Sequence, residues 1–410
     1  MTGKPPKPPV DDSAKGGADQ RYEAWTTEGD PVVEPVTDPP AQGPRARARD
    51  IATDHKLDLG MYAPGANNAI TDVKGVKVGH VTLHFGDGKL EVGKGPVRTG
   101  VTAIVPPGNV FLERLAASGS VLNGAGEMTG LTQIFEWGLL ETPIVLTNTL
   151  AIGTACDASV RYMIDKVPGI GREHDTVLPV VAECDDSWLS DIAGRHVKDT
   201  HVLDALNHAK GGAVAEGCVG AGTGMITFDF AGGIGTSSRV LPAREGAFTV
   251  GVLVQSNFGH VVDMRMGGAH VGPSIAPLYK HIPKRGGDYG SIICIVATDA
   301  PMTAHQLQRL SKRAALGIGR TGSYAGHGSG EIVLSFSTAN AYPRTSSKRV
   351  LTIEVLSDEH IDPVFRAVVE CVEEAILNAI CMGTDIVGCN RHFAPALPLD
   401  KLKDALGQRA

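Results

Sequence analysis

With 410 residues, of which 42% are hydrophobic and 20% charged, the chain reads as an ordinary globular protein with enough apolar side chains for one large core or two to three smaller ones. A formal net charge of -7 leaves no clustered excess of Lys and Arg for a nucleic-acid surface, so the expected partner is a small molecule. No stretch approaches the ~20 consecutive apolar residues of a membrane span, and the N-terminus lacks the apolar core of a secretory signal. The seven cysteines include no CxxC pair and read as free thiols of a reducing compartment, which points to the cytoplasm and leaves the periplasm open.

Residues 1–49 are rich in Pro, Gly, Asp and Lys and nearly devoid of periodic apolar positions, the composition of a disordered tail. Within it, Arg45, Arg47 and Arg49 read as a solvated charge run, with an acidic ligand as the alternative. A single folded domain is expected over 50–410. Its first strands are expected after the turn at Asn67-Asn68 and over Thr99 to Pro106. A loop from Asn123 to Gly130 leads into an amphipathic helix through Leu131, Ile134 and Phe135, with Thr129 as its N-cap. Strand signals at Pro143–Thr147 and Val177–Cys184 alternate with helical spacing at Thr154–Lys166 and Val202–Ala209, which predicts layered α/β architecture.

Two glycine-rich runs follow, Gly220–Gly224 and Gly232–Gly235. Neither carries Gly-Lys-Ser/Thr, and neither is a GxGxxG between strand and helix, so close backbone packing accounts for them better than phosphate binding. The strand from Phe248 ends in polar Gln255 and Asn257. Farther on, Arg285–Gly290 forms a glycine-rich loop that runs straight into the apolar, β-branched Ile292–Val296, a strand buried on both faces. Ser291 sits on that seam. Beyond it come a helix capped by Thr303, a strand opened by Gly328-Ser329-Gly330-Glu331, a further strand near Val350–Val355, a long helix over Asp362–Ile380 and a terminal helix.

The chemistry is sought on the seam. A serine hydroxyl is a weak nucleophile unless a base adjoins it, and an α-amino group, with a pKa of about 7.7 to 8, is a suitable base near neutrality. Attack of the Ser291 hydroxyl on the Gly290 carbonyl, an acyl shift from nitrogen to oxygen and hydrolysis of the ester would leave 1–290 and 291–410, with Ser291 a new N-terminus. Gly290 would permit backbone angles that other residues resist. Against this stands the fact that Gly-Ser also occurs at Gly119-Ser120, Gly322-Ser323 and Gly328-Ser329, where a turn is the simpler account. Ser329 and Glu331 alternate across Gly330 and so face one way on an extended segment, although an isolated S-x-E is more often a turn with an exposed Glu. Asn257 could donate to an oxyanion or satisfy local backbone. His305 and His327 read as bystanders, no G-x-S-x-G elbow is present, and neither a metal nor a cofactor is expected.

These blocks together are similar to a known family. Gly290-Ser291-Ile292-Ile293, Ala297-Thr298-Asp299-Ala300-Pro301, Gly328-Ser329-Gly330-Glu331 and Phe336–Asn340, with Asn68–Val73, Gly126–Gly130, Gly222–Met225 and Gly235–Arg239 upstream, resemble the self-processing L-aminopeptidase/D-esterase and β-peptidyl aminopeptidase family over about residues 50–385. The resemblance implies a four-layer αββα sandwich, similar to N-terminal nucleophile hydrolases but differently connected. It also implies cleavage into two subunits that stay together, commonly as a tetramer of such pairs. Carried over by position, Ser291 is the nucleophile, Ser329 and Glu331 its supporting pair and Asn257 the oxyanion donor. Substrates would be small peptides, amides or esters with a free N-terminal residue. Where some relatives carry a substrate-touching aromatic, this chain has Cys184, Asp185 and Asp186. Asp185 or Asp186 is then expected to attract the substrate ammonium, and Trp137 to wall the pocket or, alternatively, to be a core aromatic. The rivals are an acetyltransferase of the ornithine type, which normally uses threonine where Ser291 stands, and a non-catalytic binding protein on the same scaffold.

Overall fold

The computed structural model of the chain describes residues 44–283 and 289–407. The 1–43 part of the expected tail and the 284–288 part of the glycine-rich loop lie outside them.

Ten strands form two main sheets. In chain order they are β1 (Lys77–Phe85), β2 (Val97–Val105), β3 (Glu113–Gly124), β4 (Leu139–Leu140), β5 (Ile144–Asn148), β6 (Val180–Cys184), β7 (Ile234–Val240), β8 (Thr249–Asn257), β9 (Tyr289–Thr298) and β10 (Gly328–Pro343). The smaller sheet has the order β1-β2-β5-β6 and the larger β4-β3-β10-β9-β8-β7. Most pairs are antiparallel; β5 with β6 and β9 with β10 are parallel. The helices are α1 (Ala48–Asp54), α2 (Leu131–Trp137), α3 (Ile152–Lys166), α4 (Asp199–Asn207), α5 (Gly272–Tyr279), α6 (Ala304–Arg320), α7 (Asp362–Cys381) and α8 (Leu399–Gly407).

Side-chain alternation sets the layers. Along β9, Ile292, Cys294 and Val296 enter the same core as Leu307, Leu310 and Ala314 of α6 and Val368, Val372 and Ile376 of α7. Ile293, Ile295 and Ala297 point the other way, into a core shared with Ile104, Ile144, Leu146 and Ala182 of the smaller sheet. Val101, Ala103, Val145 and Val181 then face Ala155 and Ala158 of α3 and Val202 and Ala205 of α4. The order of layers is helices, sheet, sheet, helices, the expected αββα sandwich. A strand covered on both faces must be apolar at every position, which is why the central run of β9 carries no polar residue before Thr298.

Local signals fared unevenly. Thr303 caps α6 as expected: its Oγ1 accepts from Gln306 N at 3.3 Å while Gln306 Oε1 accepts from Thr303 N at 3.0 Å, a reciprocal capping box. Thr129 does not cap α2. Its hydroxyl donates to Pro179 O at 2.8 Å and accepts from Val181 N at 2.9 Å, pinning the preceding loop to the edge of β6. No strand forms over Val350–Val355. That segment's backbone bonds instead go to the Asn340 amide, through Glu354 N and O, and from Leu356 N to Pro301 O.

The expected boundary at residue 50 is also corrected, because the arginine run is docked rather than solvated. Arg45 donates to Cys381 O (2.8 Å) and Ile380 O (3.2 Å), closing carbonyls at the C-terminal end of α7, and to Leu397 O (3.0 Å) in the segment before α8. Arg47 reaches Thr236 O (2.7 Å), Asn68 O (2.8 Å) and the Glu216 carboxylate (2.8 Å). Arg49 pairs with Glu374 at 2.5 Å. Two of these donors, on Ile380 O and Cys381 O, satisfy carbonyl groups that a helix end cannot satisfy itself. Among the described residues no helix is long and apolar enough to cross a membrane.

Candidate active site

The end of β8 and the starts of β9 and β10 meet at one edge of the sandwich. Their register sets Asn257 opposite Ser291, Gly290 opposite Ser329, Ser291 opposite Gly330 and Ile292 opposite Glu331. The four residues expected to carry the chemistry are thus brought together on three adjacent strands, and all are buried.

Ser291 Oγ donates to Gly290 O at 2.6 Å, so the hydroxyl lies against the peptide that it would have to attack. Gly290 is needed here for space. It is not among the glycines with positive φ, contrary to the expectation of unusual backbone angles, but a Cβ on it would stand 2.9 Å from both Ser329 Oγ and Phe258 Cβ. Glycine therefore lets the Ser329 hydroxyl close on the backbone just before Ser291.

Ser329 donates to Glu331 Oε1, while Glu331 Oε2 has no hydrogen-bond partner. Burial pushes the Glu331 carboxyl above the ordinary glutamate range, and the Ser329 hydrogen bond only partly offsets this. Among the described residues it forms no ion pair. The exposed-turn alternative for this S-x-E does not hold.

Asn257 is fixed at both ends of its amide. Its Oδ1 accepts from Ile226 N at 2.9 Å, and its Nδ2 donates to Asp185 O at 2.9 Å. This pattern decides which end is nitrogen and leaves the second Nδ2 hydrogen for another acceptor. A cleft of about 330 Å³ opens beside Ser329, lined by Phe258, His260, Asp263 and the 322–326 loop. A second, of about 370 Å³, lies past Ile226 and is walled by Trp188, Tyr279 and Phe393.

The three expected substrate-binding residues fall in different places. Asp185 is half-buried and contributes its carbonyl to Asn257, with its carboxylate accepting from Ser187 N at 2.8 Å. Asp186 is fully buried, and burial pushes its carboxyl up to about 8. A buried acid that keeps its proton cannot draw in an ammonium group, so that expectation is corrected. Trp137 lines neither of these clefts and is not in the core. It is half-exposed at the end of α2, whose following Gly138 accepts from Ala117 N, and Ala117 pairs with Phe336, six residues along β10 from Gly330. His305 and His327 are exposed.

One carboxylate was overlooked. Glu183 Oε1 accepts from Glu127 N at 2.9 Å and Oε2 from the Thr149 hydroxyl. A side-chain carbon on Gly126 would stand 3.3 Å from Glu183 Oε1 and 3.7 Å from Gly330 Cα. Glu183 therefore lies across a single glycine from the residue opposite Ser291. Burial raises its pKa. A polar residue inside an otherwise apolar strand is its signal in the sequence.

A serine at the start of a buried strand in an αββα sandwich, with a buried carboxylate and a fixed amide beside it, is an arrangement suited to acyl transfer. The sequence pattern of peptidase family S58 matches residues 68–394, and the chain belongs to that family. It is 44% identical over 383 residues to beta-peptidyl aminopeptidase BapA of Sphingosinicella microcystinivorans, covering 89% of this chain and 92% of that one. The solved beta-aminopeptidase of Burkholderia sp. is 41% identical with a TM-score of 0.81, covering 88% of this chain and 99% of that one. The L-aminopeptidase D-Ala-esterase/amidase of Ochrobactrum anthropi, described as a variant of the Ntn hydrolase fold, is 39% identical with a TM-score of 0.80, covering 88% and 98%. The protein is an aminopeptidase, and neither the acetyltransferase nor the non-catalytic alternative is favoured.

Proposed function

We propose that the chain cuts itself between Gly290 and Ser291 and then acts through Ser291 as an N-terminal nucleophile on peptides, amides and esters that carry a free amine. The observation that carries this reading is the register, which sets Asn257 opposite Ser291 and the Ser329–Glu331 pair beside Gly290. In the first event the Ser291 hydroxyl adds to the Gly290 carbonyl carbon. Collapse breaks the C–N bond, leaves an ester on Oγ and frees the Ser291 amine; water then hydrolyses the ester.

In each later turnover the free amine takes the hydroxyl proton as Oγ adds to the substrate carbonyl. The uncommitted Nδ2 hydrogen of Asn257 meets the oxyanion. Glu331, whose burial favours its protonated form, receives or returns a proton through Ser329. The leaving amine departs protonated, and water releases the acyl group from Ser291.

Glu183, rather than Asp186, is the carboxylate suited to the substrate ammonium: it borders Gly126 and Gly330, and hydrogen bonds from Thr149 and Glu127 N partly offset its burial, whereas neither Asp186 oxygen has such a partner. The names of the relatives support N-terminal β-amino residues as substrates. A homo-oligomer of cleaved pairs and a cytoplasmic setting complete the reading; the latter is supported by seven free cysteines, most of them buried. Mass spectrometry of the purified protein is expected to find fragments 1–290 and 291–410, and Ser291→Ala is expected to stay whole and inactive. A wild-type chain that remains uncut at full activity overturns the proposal, and a panel of α- and β-aminoacyl p-nitroanilides ranks the substrates.

A further inference from the structure

We propose that Asp186 is a positioning residue for the oxyanion site: its enclosed side chain seats the 186–190 turn, and that seat holds the Asp185 carbonyl against Asn257 Nδ2. This rests on the reading of Asn257 as the oxyanion donor.

The turn begins at Asp186, whose carbonyl accepts from Leu189 N at 3.1 Å and Ser190 N at 3.0 Å. It is laced to β2 on its far side. Ser190 Oγ accepts from Arg98 N at 2.9 Å, and Asp191 N donates to Pro96 O at 2.8 Å. The near side is the Asp185 carbonyl, 2.9 Å from Asn257 Nδ2. Between these anchors the Asp186 side chain points inward and is fully buried. Gly224 closes over it so tightly that a Cβ there would come within 2.9 Å of Asp186 Cβ.

Its surroundings favour an acid over an anion. Neither carboxyl oxygen has a partner in full hydrogen-bond geometry. Thr99 and Asn148, bonded to each other at 2.8 Å, are the polar side chains alongside it. The neighbouring titratable groups are Asp185 on its own loop, Cys184 on β6 and Cys389 from the C-terminal segment. Both thiols are pushed up by burial and stay neutral. Arg98, the nearby cation, spends its guanidinium on the carbonyls of Phe85, Gly86, Val97 and Val387. Among the described residues no ion pair reaches Asp186. Losing the proton would leave an uncompensated charge in this seat, which water or movement of the turn must relieve. Displacing the turn displaces the carbonyl that aims Asn257. Burial puts that transition at about 8, so the neutral, competent form is lost as pH rises through it.

The test is kcat and KM against pH, on one aminoacyl p-nitroanilide, for the cleaved wild-type protein and for Asp186→Ala, Asp186→Asn and Asn257→Ala. Asp186→Ala is expected to lower kcat on the order of tenfold or more with little change in KM. The neutral isostere Asp186→Asn is expected to recover most of that loss and to abolish the wild-type fall in kcat above about pH 8. Asn257→Ala is expected to lose on the order of 10²–10³ in kcat. If Asn257→Ala keeps wild-type kcat, the oxyanion reading fails and this proposal with it. If it does not, yet Asp186→Asn retains the wild-type alkaline limb, this proposal alone fails. Should the Asp186 variants not fold, infrared difference spectra of the wild-type protein decide. A protonated carboxyl band that disappears with the alkaline loss of kcat supports the proposal, and the absence of any such band overturns it.

Discussion

Two glutamates that follow Ser291 in the chain, Glu331 and Glu374, are both fully buried, yet their surroundings are opposite. Glu374, on α7, accepts from Arg239 at 2.7 Å, from Arg49 at 2.5 Å and from Asn68 Nδ2 at 2.6 Å. Burial alone would raise its pKa, but Arg239, Arg49 and Asn68 outweigh it and the carboxyl ends below the ordinary range. Among the described residues Glu331 has one hydroxyl and no cation, so burial wins and its pKa goes up. A carboxylate with every oxygen answered by a cation holds elements together. One left short of partners keeps its affinity for a proton, which is what proton transfer requires.

Charge removal should therefore separate rate from stability at the two sites. Glu331→Gln keeps the shape of the side chain but not its proton affinity, and kcat is expected to fall on the order of 10²–10⁴-fold with no loss of thermal stability. A melting temperature that falls as far as the rate would show Glu331 to be a structural residue. Arg239→Ala should do the reverse. It leaves Glu370 and Glu374 buried without that cation, at a cost of about 3–5 kcal/mol in denaturant unfolding; the rate per folded molecule should stay near wild type.

Titration sharpens the contrast, with a smaller effect. The folded pKa of Glu331 lies above its unfolded value, so its contribution to stability is complete below about pH 4.3 and is lost as pH rises through the folded value. Glu374 has a folded pKa below its unfolded value, so its contribution is present above about pH 4.3 and is lost as pH falls through the folded value. Denaturant midpoints against pH should show Glu331→Gln gaining on the wild-type protein toward neutrality and Glu374→Gln gaining on it toward acid, each by roughly 1 kcal/mol per pH unit within its window. Matching profiles for the two variants would remove the distinction.

The residues proposed to carry the chemistry are legible because each stands against a pattern. Ser291 interrupts the passage from glycine-rich loop to β-branched strand, Asn257 closes an apolar run, and Ser329 and Glu331 share one face of an extended segment. The arginines at 45, 47 and 49 were misread because two of them spend their donors largely on backbone carbonyls of residues such as Ile380, Cys381 and Leu397. Every residue has such a carbonyl, so a docked arginine run and a solvated one look alike in sequence. Asp185 and Asp186 were indistinguishable for a related reason. Which of them is fully buried depends on a turn laced to β2, far away in the chain.

Trp137 makes the smallest prediction and tests the geometry most directly. The Gly138 carbonyl bonds Ala117 N, Ala117 pairs with Phe336, and Gly330 opposite Ser291 lies six residues earlier on β10. At about 3.3 Å per residue that is roughly 20 Å of strand, beyond the reach of an indole. Trp137→Ala should thus leave kcat/KM within about twofold for every N-terminal side chain and stability within about 0.5 kcal/mol, as for an ordinary surface substitution. A large rise in KM confined to bulky substrates would contradict the distance along this chain, and only a tryptophan brought in by a second copy could then produce it. Measuring KM across the dilution at which any oligomer dissociates distinguishes these accounts, because a wall supplied by the chain itself is indifferent to protein concentration and one supplied by a neighbour is not.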